Sequence, residues 1–444
     1  HRSQAFTYRI TAKDYGRPDH PFRLKKPPPG YDAAKYKWNK NSKPIIPNGK
    51  FDLLGITWGG DLVGHGTQWV LADWEERVGI EKIFHNHDLG YLYYIQTEGG
   101  SPNIGLPDDE FQDNGNFPYR LYVRQGRRIE GLYTLTESDL HKDLRGDGFR
   151  GPLLSESVAI GVYGIDAHRV QGPDGRQEPA SGKGAAEGTL HLHDATGPYQ
   201  IPYGTLVPKK HNGILFPVGI SSTHVAICSV RMEPVWSALG QAAGAAAALA
   251  IDNKQELRDV SIQSIQDELL RQRCTLFFYT DLPCDSAAFT AVQKLSLLGA
   301  VAGPDINDYN TKQSKGLASL ELKAYQFRPD KPITLGEFSK MVVNGLQIPL
   351  SITASHFTDV PRGHPAFKYI ETLYDYSTQS KEPFFDFDPR DGFKTALAHP
   401  EDKVRGAQAA QILSGLLHKK VSLSGNSEAE LTRAEATQLV YQHL

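Results

Sequence analysis

The chain has 444 residues, of which 39% are hydrophobic and 22% charged, and its formal net charge is -3. That length exceeds what one hydrophobic core usually organises, so two or three domains are expected, and the balanced charge without long single-sign runs excludes a nucleic-acid-binding character. The longest strongly apolar run, Ala245 to Ile251, is far shorter than the roughly 20 residues a bilayer crossing needs, so no membrane span is expected.

The sequence opens at His1 without a Met or an apolar leader, which reads as a processed product or a fragment. The first 50 residues, with "RLKKPPPGYDAAKYKWNKNSKPIIPNG", read as a long ordered loop, because successive prolines remove donors and fix φ. Apolar spacing over 63–78 and 111–131 predicts helices. Short spans rich in β-branched and aromatic residues at 160–169 ("IGVYGIDAHRV") and 213–219 ("GILFPVG") predict strands, and the alternation in "GTLHLHDATGPYQIPY" predicts a hairpin. Trp236 to Ile251 predicts a helix of small residues, with Leu239, Gly240 and Gln241 in its first turn.

Composition shifts after Ile251. From about Arg258 the pattern is amphipathic helix with long polar loops, and two passages, Leu282 to Ile348 and Phe357 to Leu417, share a helix, a turn-rich insert with Phe-x-Pro, and a second helix. A third start, "ELTRAEATQLVYQHL", closes the chain. A period of about 60 to 75 residues with shared landmarks predicts internal repeats that form their own domain, so the expected division is 1–257 and 258–444.

"GDGFRG" at Gly146 to Gly151 meets G-x-G-x-x-G literally, but no apolar strand precedes it and Pro152 stands where a helix should begin, so it reads as a turn. "GKGAAEG" fails for the same reason. Three cysteines, Cys228, Cys274 and Cys284, are too few and too scattered for a zinc site or a disulfide framework; a Cys274–Cys284 bridge and two buried thiols are the alternatives. His85 with His87 and His191 with His193 have the spacing of one strand face but lack a third ligand at helical spacing, so loop or surface histidines are expected. His168 and His224 lie near predicted strand ends, where catalytic groups collect, although core roles are open to them too. On the predicted helix, Arg124 and Arg128 share a face at i and i+4 and would suit an anion, the alternative being a solvated charged face.

"NGILFPVGISSTHVAICSVRMEPVWSALGQAAGAAAA" joins a hydrophobic span, a Gly/Ser/Thr/His turn and a small-residue helix. A tightly packed core helix and a ligand-facing helix start both fit it. Together with "QAFTYRITAKD", "LPDDEFQDNGNFPYRLYVRQGRRIEGLYTLTESD" and "SVAIGVYGIDAHRV", this stretch resembles the FAD-dependent oxidoreductase family whose members often carry the label xanthan lyase, over about Ser3 to Ile251. The resemblance implies an α/β (α+β) flavoprotein fold of the glutathione-reductase type, with an incomplete Rossmann portion, substrate-domain inserts at about 45–150, a flavin-facing segment at 200–251, and FAD as cofactor.

By the same resemblance, Gly219, Ser221, Ser222, Thr223 and His224 wrap the isoalloxazine and ribityl region, with Ser229 and Arg231 close by. The helix starting near Gly240, Gln241 and Ala242 then points its N-terminus at the pyrimidine edge, where reduced flavin carries negative charge. Family members open with a Gly-rich strand–turn–helix for the ADP part of FAD. This sequence has no such segment and resembles the C-terminal portion of such a flavoprotein, so the alternatives are an N-terminal portion that is a separate partner chain, one that was lost, and a protein that works without FAD.

The C-terminal passages "FTDVPRGHPAFKYIETLYDYS", "FRPDKPITLGEF" and "LTRAEATQLV" resemble S-layer homology modules, which implies binding to a cell-wall polymer or self-association. Leu335 replaces the module's Arg in the first repeat, while Arg405 and Arg433 are expected to keep it later. The resulting expectation is a secreted or cell-surface enzyme moving a hydride from a polar, carbohydrate-like substrate to FAD. His168 or His224 would be the general base, Tyr203 a hydrogen-bond donor, and Arg124, Arg128 and Arg9 anion clamps. The rival expectation is a surface binding protein with a vestigial flavoprotein half.

Overall fold

The computed structural model describes residues 3–38, 47–53, 59–143, 148–170, 188–301, 325–380, 383–385, 388–390, 395–423 and 425–444. The first two residues of "GDGFRG", nearly all of "GKGAAEG" and the insert at 302–324 lie outside them. In chain order the regular elements begin with β1 (Thr11–Asp14), β2 (Lys50–Asp52), α1 (Gly66–Leu71), α2 (Trp74–Gln96), β3 (Ile104–Gly105), β4 (Ser157–Gly161), β5 (Ile165–Ala167), β6 (Leu190–Leu192) and β7 (Tyr199–Pro202). They continue with α3 (His224–Val230), α4 (Glu233–Asp252), α5 (Ile262–Arg271), α6 (Phe289–Leu297), α7 (Leu335–Gly345), α8 (Phe367–Gln379), β8 (Asp388–Arg390), β9 (Thr395–Leu397), α9 (Gly406–Leu417) and α10 (Arg433–Tyr441). Contacts divide the chain into two compact units rather than at a single break after 257. The first comprises His1–Ile129, Ile165–Leu192 and His224–Arg231; the second comprises Glu130–Gly164, His193–Thr223 and Met232–Leu444.

In the first unit, Phe6, Tyr8, Ile10 and Ala12 alternate along an extended segment and turn inward together, as a period of two requires. They pack on the buried half of α2, through Phe84, Tyr91, Leu92 and Ile95. β1 ends that segment as the centre of an antiparallel sheet in the order β2-β1-β3, so the opening region is a strand and not only a loop. The predicted helix at 63–78 is two helices, because the Asp73 carboxylate accepts from the Glu76 N–H and Glu76 returns the bond, starting α2 afresh. Gln96 ties the end of α2 to its surroundings: its Oε1 accepts from the Leu24 N–H, and its Nε2 donates to the Phe22 and Ile104 carbonyls.

The predicted helix over 111–131 does not form. Phe111, Gly115 and Asn116 all take positive φ around one 3-10 turn, Pro118 follows, and Tyr122 is bridged to Thr7 in extended backbone. His85 and His87 are therefore on helix α2, not on a strand face.

In the second unit β4 pairs antiparallel with β7, and Gly161 sits opposite Tyr199, where an added Cβ would come within 2.3 Å of the ring. β6 pairs instead with β5 in the first unit, so the predicted hairpin is split between two sheets. The span 160–169 likewise holds the two strands β4 and β5, and 213–219 forms no strand.

The predicted small-residue helix, Trp236 to Ile251, forms as one helix, α4, which starts slightly earlier at Glu233 with Pro234 in its first turn, while the shorter α3 precedes it beyond a break at Arg231 and Met232. Val235, Leu239, Ala242, Ala246 and Ala250 make the buried side of α4, which packs on β4 and α5. By length and composition alone α4 could cross a membrane, and 33% of its apolar window is buried. Cys228 is buried, Cys274 half-buried and Cys284 exposed, and all three are free, so Cys284 is not a buried thiol.

The C-terminal helices share a local geometry. Ile333 N–H donates to the Leu431 carbonyl (2.9 Å), Leu431 N–H to that of Val404 (2.9 Å) and Val404 N–H to that of Ile333 (3.0 Å), closing a ring of three segments. Each segment leads into a helix, and Thr334 and Thr432 cap α7 and α10 with Glu337 and Glu435 in matching capping boxes. Asp281 accepts from the Phe327 and Arg328 N–H groups as Asp359 does from those of Ala398 and His399, with Arg328 and His399 both at positive φ.

The same geometry corrects one expectation. Arg405 is the N-cap of α9, one residue before the position that Leu335 and Arg433 hold in α7 and α10. Arg433 itself is buried, pairs with Glu337 at 2.9 Å and lies over the Phe327 ring. Arg433→Ala is expected to cost about 3 kcal/mol, since it strands a partly buried carboxylate. Denaturant unfolding of the full chain measures it, and a loss under about 0.5 kcal/mol would place the pair with ordinary surface salt bridges.

Candidate functional site

The first unit contains a buried charged cluster assembled from five separate stretches of chain. Strand β5 places Ile165 and Ala167 in the core, so Asp166 and His168 project from its other side. The His168 N–H donates to Oε1 of Gln4, whose Nε2 donates to Gln125. His168 Nδ1 lies 2.6 Å from Oδ2 of Asp61, and its Nε2 lies 3.3 Å from Oδ2 of Asp166. Arg124 Nη2 approaches Oδ1 of Asp61 at 2.7 Å, while its Nη1 donates to the Ala5 carbonyl. Arg231, just past α3, donates through Nη2 to the Asp166 carbonyl (3.1 Å), and His191 Nδ1 is 2.8 Å from Oδ1 of Asp166.

Both ring nitrogens of His168 face carboxylate oxygens. Burial pulls its pKa down, but the hydrogen bonds to Asp166 and Asp61 and the Asp61 charge outweigh that and leave it raised. The charged form of His168 is thus favoured and both ring nitrogens are engaged, which is unsuited to the general-base role expected of it. Arg124, 1% exposed, is bound to Asp61 and does not share a helix face with Arg128.

Arg128 and His224 are brought together instead. Burial, and then the Arg128 charge, lower the His224 pKa, so this imidazole is neutral at pH 7. Arg128 is half-buried, and burial also lowers its pKa. Among the described residues its side chain makes no hydrogen bond or ion pair. Cys228, one turn into α3, donates to the His224 carbonyl, and burial pushes its thiol up to about 12. A neutral imidazole beside an arginine without a carboxylate can accept a proton next to a bound anion.

In the second unit the polar turn is pinned by backbone bonds. Ser221 N–H donates to Thr205, Leu135 N–H to Ser221, and Thr223 N–H to Leu135. Ser221 Oγ is 2.9 Å from Thr134 Oγ1, whereas the buried Ser222 Oγ has no partner among the described residues. Gly219 and Thr223 flank them half-buried, and Ser229 is fully buried within α3 of the first unit.

Two expectations fail on geometry. Tyr203 is buried with its hydroxyl already donating to the Leu257 carbonyl, and burial raises its pKa to about 12. Gly240, Gln241 and Ala242 lie two turns inside α4, where helical bonds already use their N–H groups, so they present no helix N-terminus. Arg9 pairs on the surface with Asp52.

Asp61 and Asp166 were not singled out from sequence. Asp166 had a signal, since Asp-x-His on a short strand puts a carboxylate and an imidazole on one face; Asp61, within "GGDLVGHG", had none.

A raised His168 pKa fixes the sign of a pH effect. Its contribution to stability is complete below the usual 6.5 and is lost as pH rises through the higher folded value. The stability difference between the native chain and His168→Gln, measured by urea midpoints, should therefore shrink from slightly acid to alkaline pH. A difference that stays constant or grows would contradict the raised pKa. His87, which burial lowers to about 4, destabilises both proteins equally in acid and cancels from the difference.

No curated protein matches the chain. The model of the family described as FAD dependent oxidoreductase matches residues 1–269, more than half of the chain and the range that holds the charged cluster, the Arg128–His224 pair and the polar turn. The family's chemistry is oxidation or reduction, and its cofactor is FAD. The chain belongs to the FAD dependent oxidoreductase family.

Proposed function

We propose that the chain oxidises a carbon–hydrogen bond next to a hydroxyl on a polar, anionic substrate of carbohydrate-like kind, in a flavoprotein fold of the glutathione-reductase type. The observation that carries the reading is the family match over residues 1–269, which spans every polar group invoked. FAD, when bound, accepts the hydride.

The turn at Gly219 to Thr223 fits the polar edge of the flavin ring, because the buried Ser222 hydroxyl has no partner among the described residues and is available as a donor. In the first unit, Arg128 clamps the anionic part of the substrate, and His224, neutral at pH 7, takes the proton of the reacting hydroxyl on an imidazole nitrogen. The cluster around Asp61 keeps buried charge in fixed positions nearby in the same unit.

Titrating the full chain with FAD should quench flavin fluorescence stoichiometrically, and Ser222→Ala should weaken binding several-fold, the equivalent of about 1 kcal/mol for one hydrogen bond. A chain that never retains FAD overturns this seat. Once a substrate is in hand, Arg128→Met should raise KM for anionic over neutral analogues, and His224→Gln should lower kcat by about 100-fold. Equal effects on charged and neutral analogues would remove Arg128 from the substrate.

A second reading concerns the C-terminal helices. We infer an S-layer homology-like region that attaches the chain to a wall polymer or to a second copy at a cell surface. The cyclic exchange of backbone bonds among the segments before α7, α9 and α10 supports it. Retention of the full chain on purified wall polymer tests it; a monomeric chain that is not retained rejects it.

A further inference from the structure

The groups around His168 form an unbroken line from the interior of the first unit to its surface. Asp61 and His168 are 2.6 Å apart, His168 and Asp166 3.3 Å, and Asp166 and His191 2.8 Å. Exposure rises along that line, from 5% for the Asp61 and His168 side chains through 13% for Asp166 to 43% for His191. Carboxylate and imidazole alternate, so each neighbouring pair can share one proton.

The other charges facing the line stay fixed. Arg124 holds the far oxygen of Asp61, Arg231 holds Asp166, and Asp88, which burial keeps toward its neutral form, is occupied by the Tyr8 N–H and the Thr7 hydroxyl. A structural salt-bridge cluster needs no imidazole bridging its last carboxylate to water, and this one has it.

We propose that Asp166 and His191 are a proton conduit through which buried His168 exchanges its proton with solvent. His168 gives the proton on Nε2 to Oδ2 of Asp166. The resulting acid turns about Cβ–Cγ and delivers it to Nδ1 of His191, which releases a proton from Nε2 to water. Reloading runs the same steps in reverse, no electron moves, and His168 keeps its Nδ1 proton, hydrogen-bonded to Asp61, throughout. The conduit lets the cluster change charge by one proton without opening the fold, which a redox centre that takes up and releases protons requires. It rests on the oxidoreductase reading only for its use, not for its existence.

The test therefore needs neither flavin nor substrate. In the 15N-histidine-labelled full chain, exchange of the His168 Nε2 proton with water is read from the width and saturation transfer of its ring 15N signal. His191→Asn, a change at a half-exposed side chain, should slow that exchange about tenfold, and added free imidazole should restore it. Unchanged exchange in His191→Asn, or slowed exchange that imidazole does not restore, overturns the conduit. Asp166→Asn, in which the amide cannot carry the proton onward, should slow exchange even with imidazole present, and fast exchange there would also overturn it. Loss of FAD binding in any variant leaves these readouts standing and bears only on the cofactor seat.

Discussion

The Asp61 carboxylate holds two cations, Arg124 and His168, inside the first unit, and much of that unit's polar interior is arranged around it. Moving one carboxylate and one guanidinium out of water costs several kcal/mol each, and their attraction recovers this only when further hydrogen bonds satisfy the remaining atoms. Here Arg124 Nη1 donates to the Ala5 carbonyl, and the His168 N–H donates to Gln4 Oε1, which ties the N-terminal extended segment to the strand that carries Asp166. A hydrophobic core of equal volume would be simpler to build. Retention of the charges is more readily understood as a requirement of chemistry than of stability.

Two histidines in one unit end in opposite states for the same underlying reason. Both lose solvent, which disfavours the charged form, but His168 gains two carboxylates and His224 gains an arginine. The result is an imidazole whose charged form is favoured within a network and a neutral base in the field of a cation that has no ion pair among the described residues. Residue type and proximity to a strand end do not separate these roles. The sign of the nearest charge does.

Short-range signals in the sequence were largely honoured. The Thr-x-x-Glu segments at Thr334 and Thr432 form capping boxes, and Asp281 and Asp359 occupy equivalent turns. The family-specific stretches also agreed with the match over 1–269. Where periodicity was the only guide it misled: Phe117 and Leu121 bury themselves from a bend and an irregular stretch, so apolar spacing over 111–131 imitated a helix that positive-φ residues and Pro118 forbid. The helix start expected at Gly240 lies instead at Glu233, because small residues signal close packing and not where a helix begins.

The sequence by itself determined the family, the cofactor that the family implies, the small-residue character of α4 and the capped helix starts, since each depends on residues near one another in the chain. Only the tertiary structure decided that Asp61 meets Arg124 and His168, that Asp166 joins His168 to His191, and that Arg128 stands beside His224 while Arg124 does not. Such pairings join residues distant in the chain, and no local period encodes them. The energy that selects them, the cost of leaving a buried charge without a partner, exists only once the fold has removed the water.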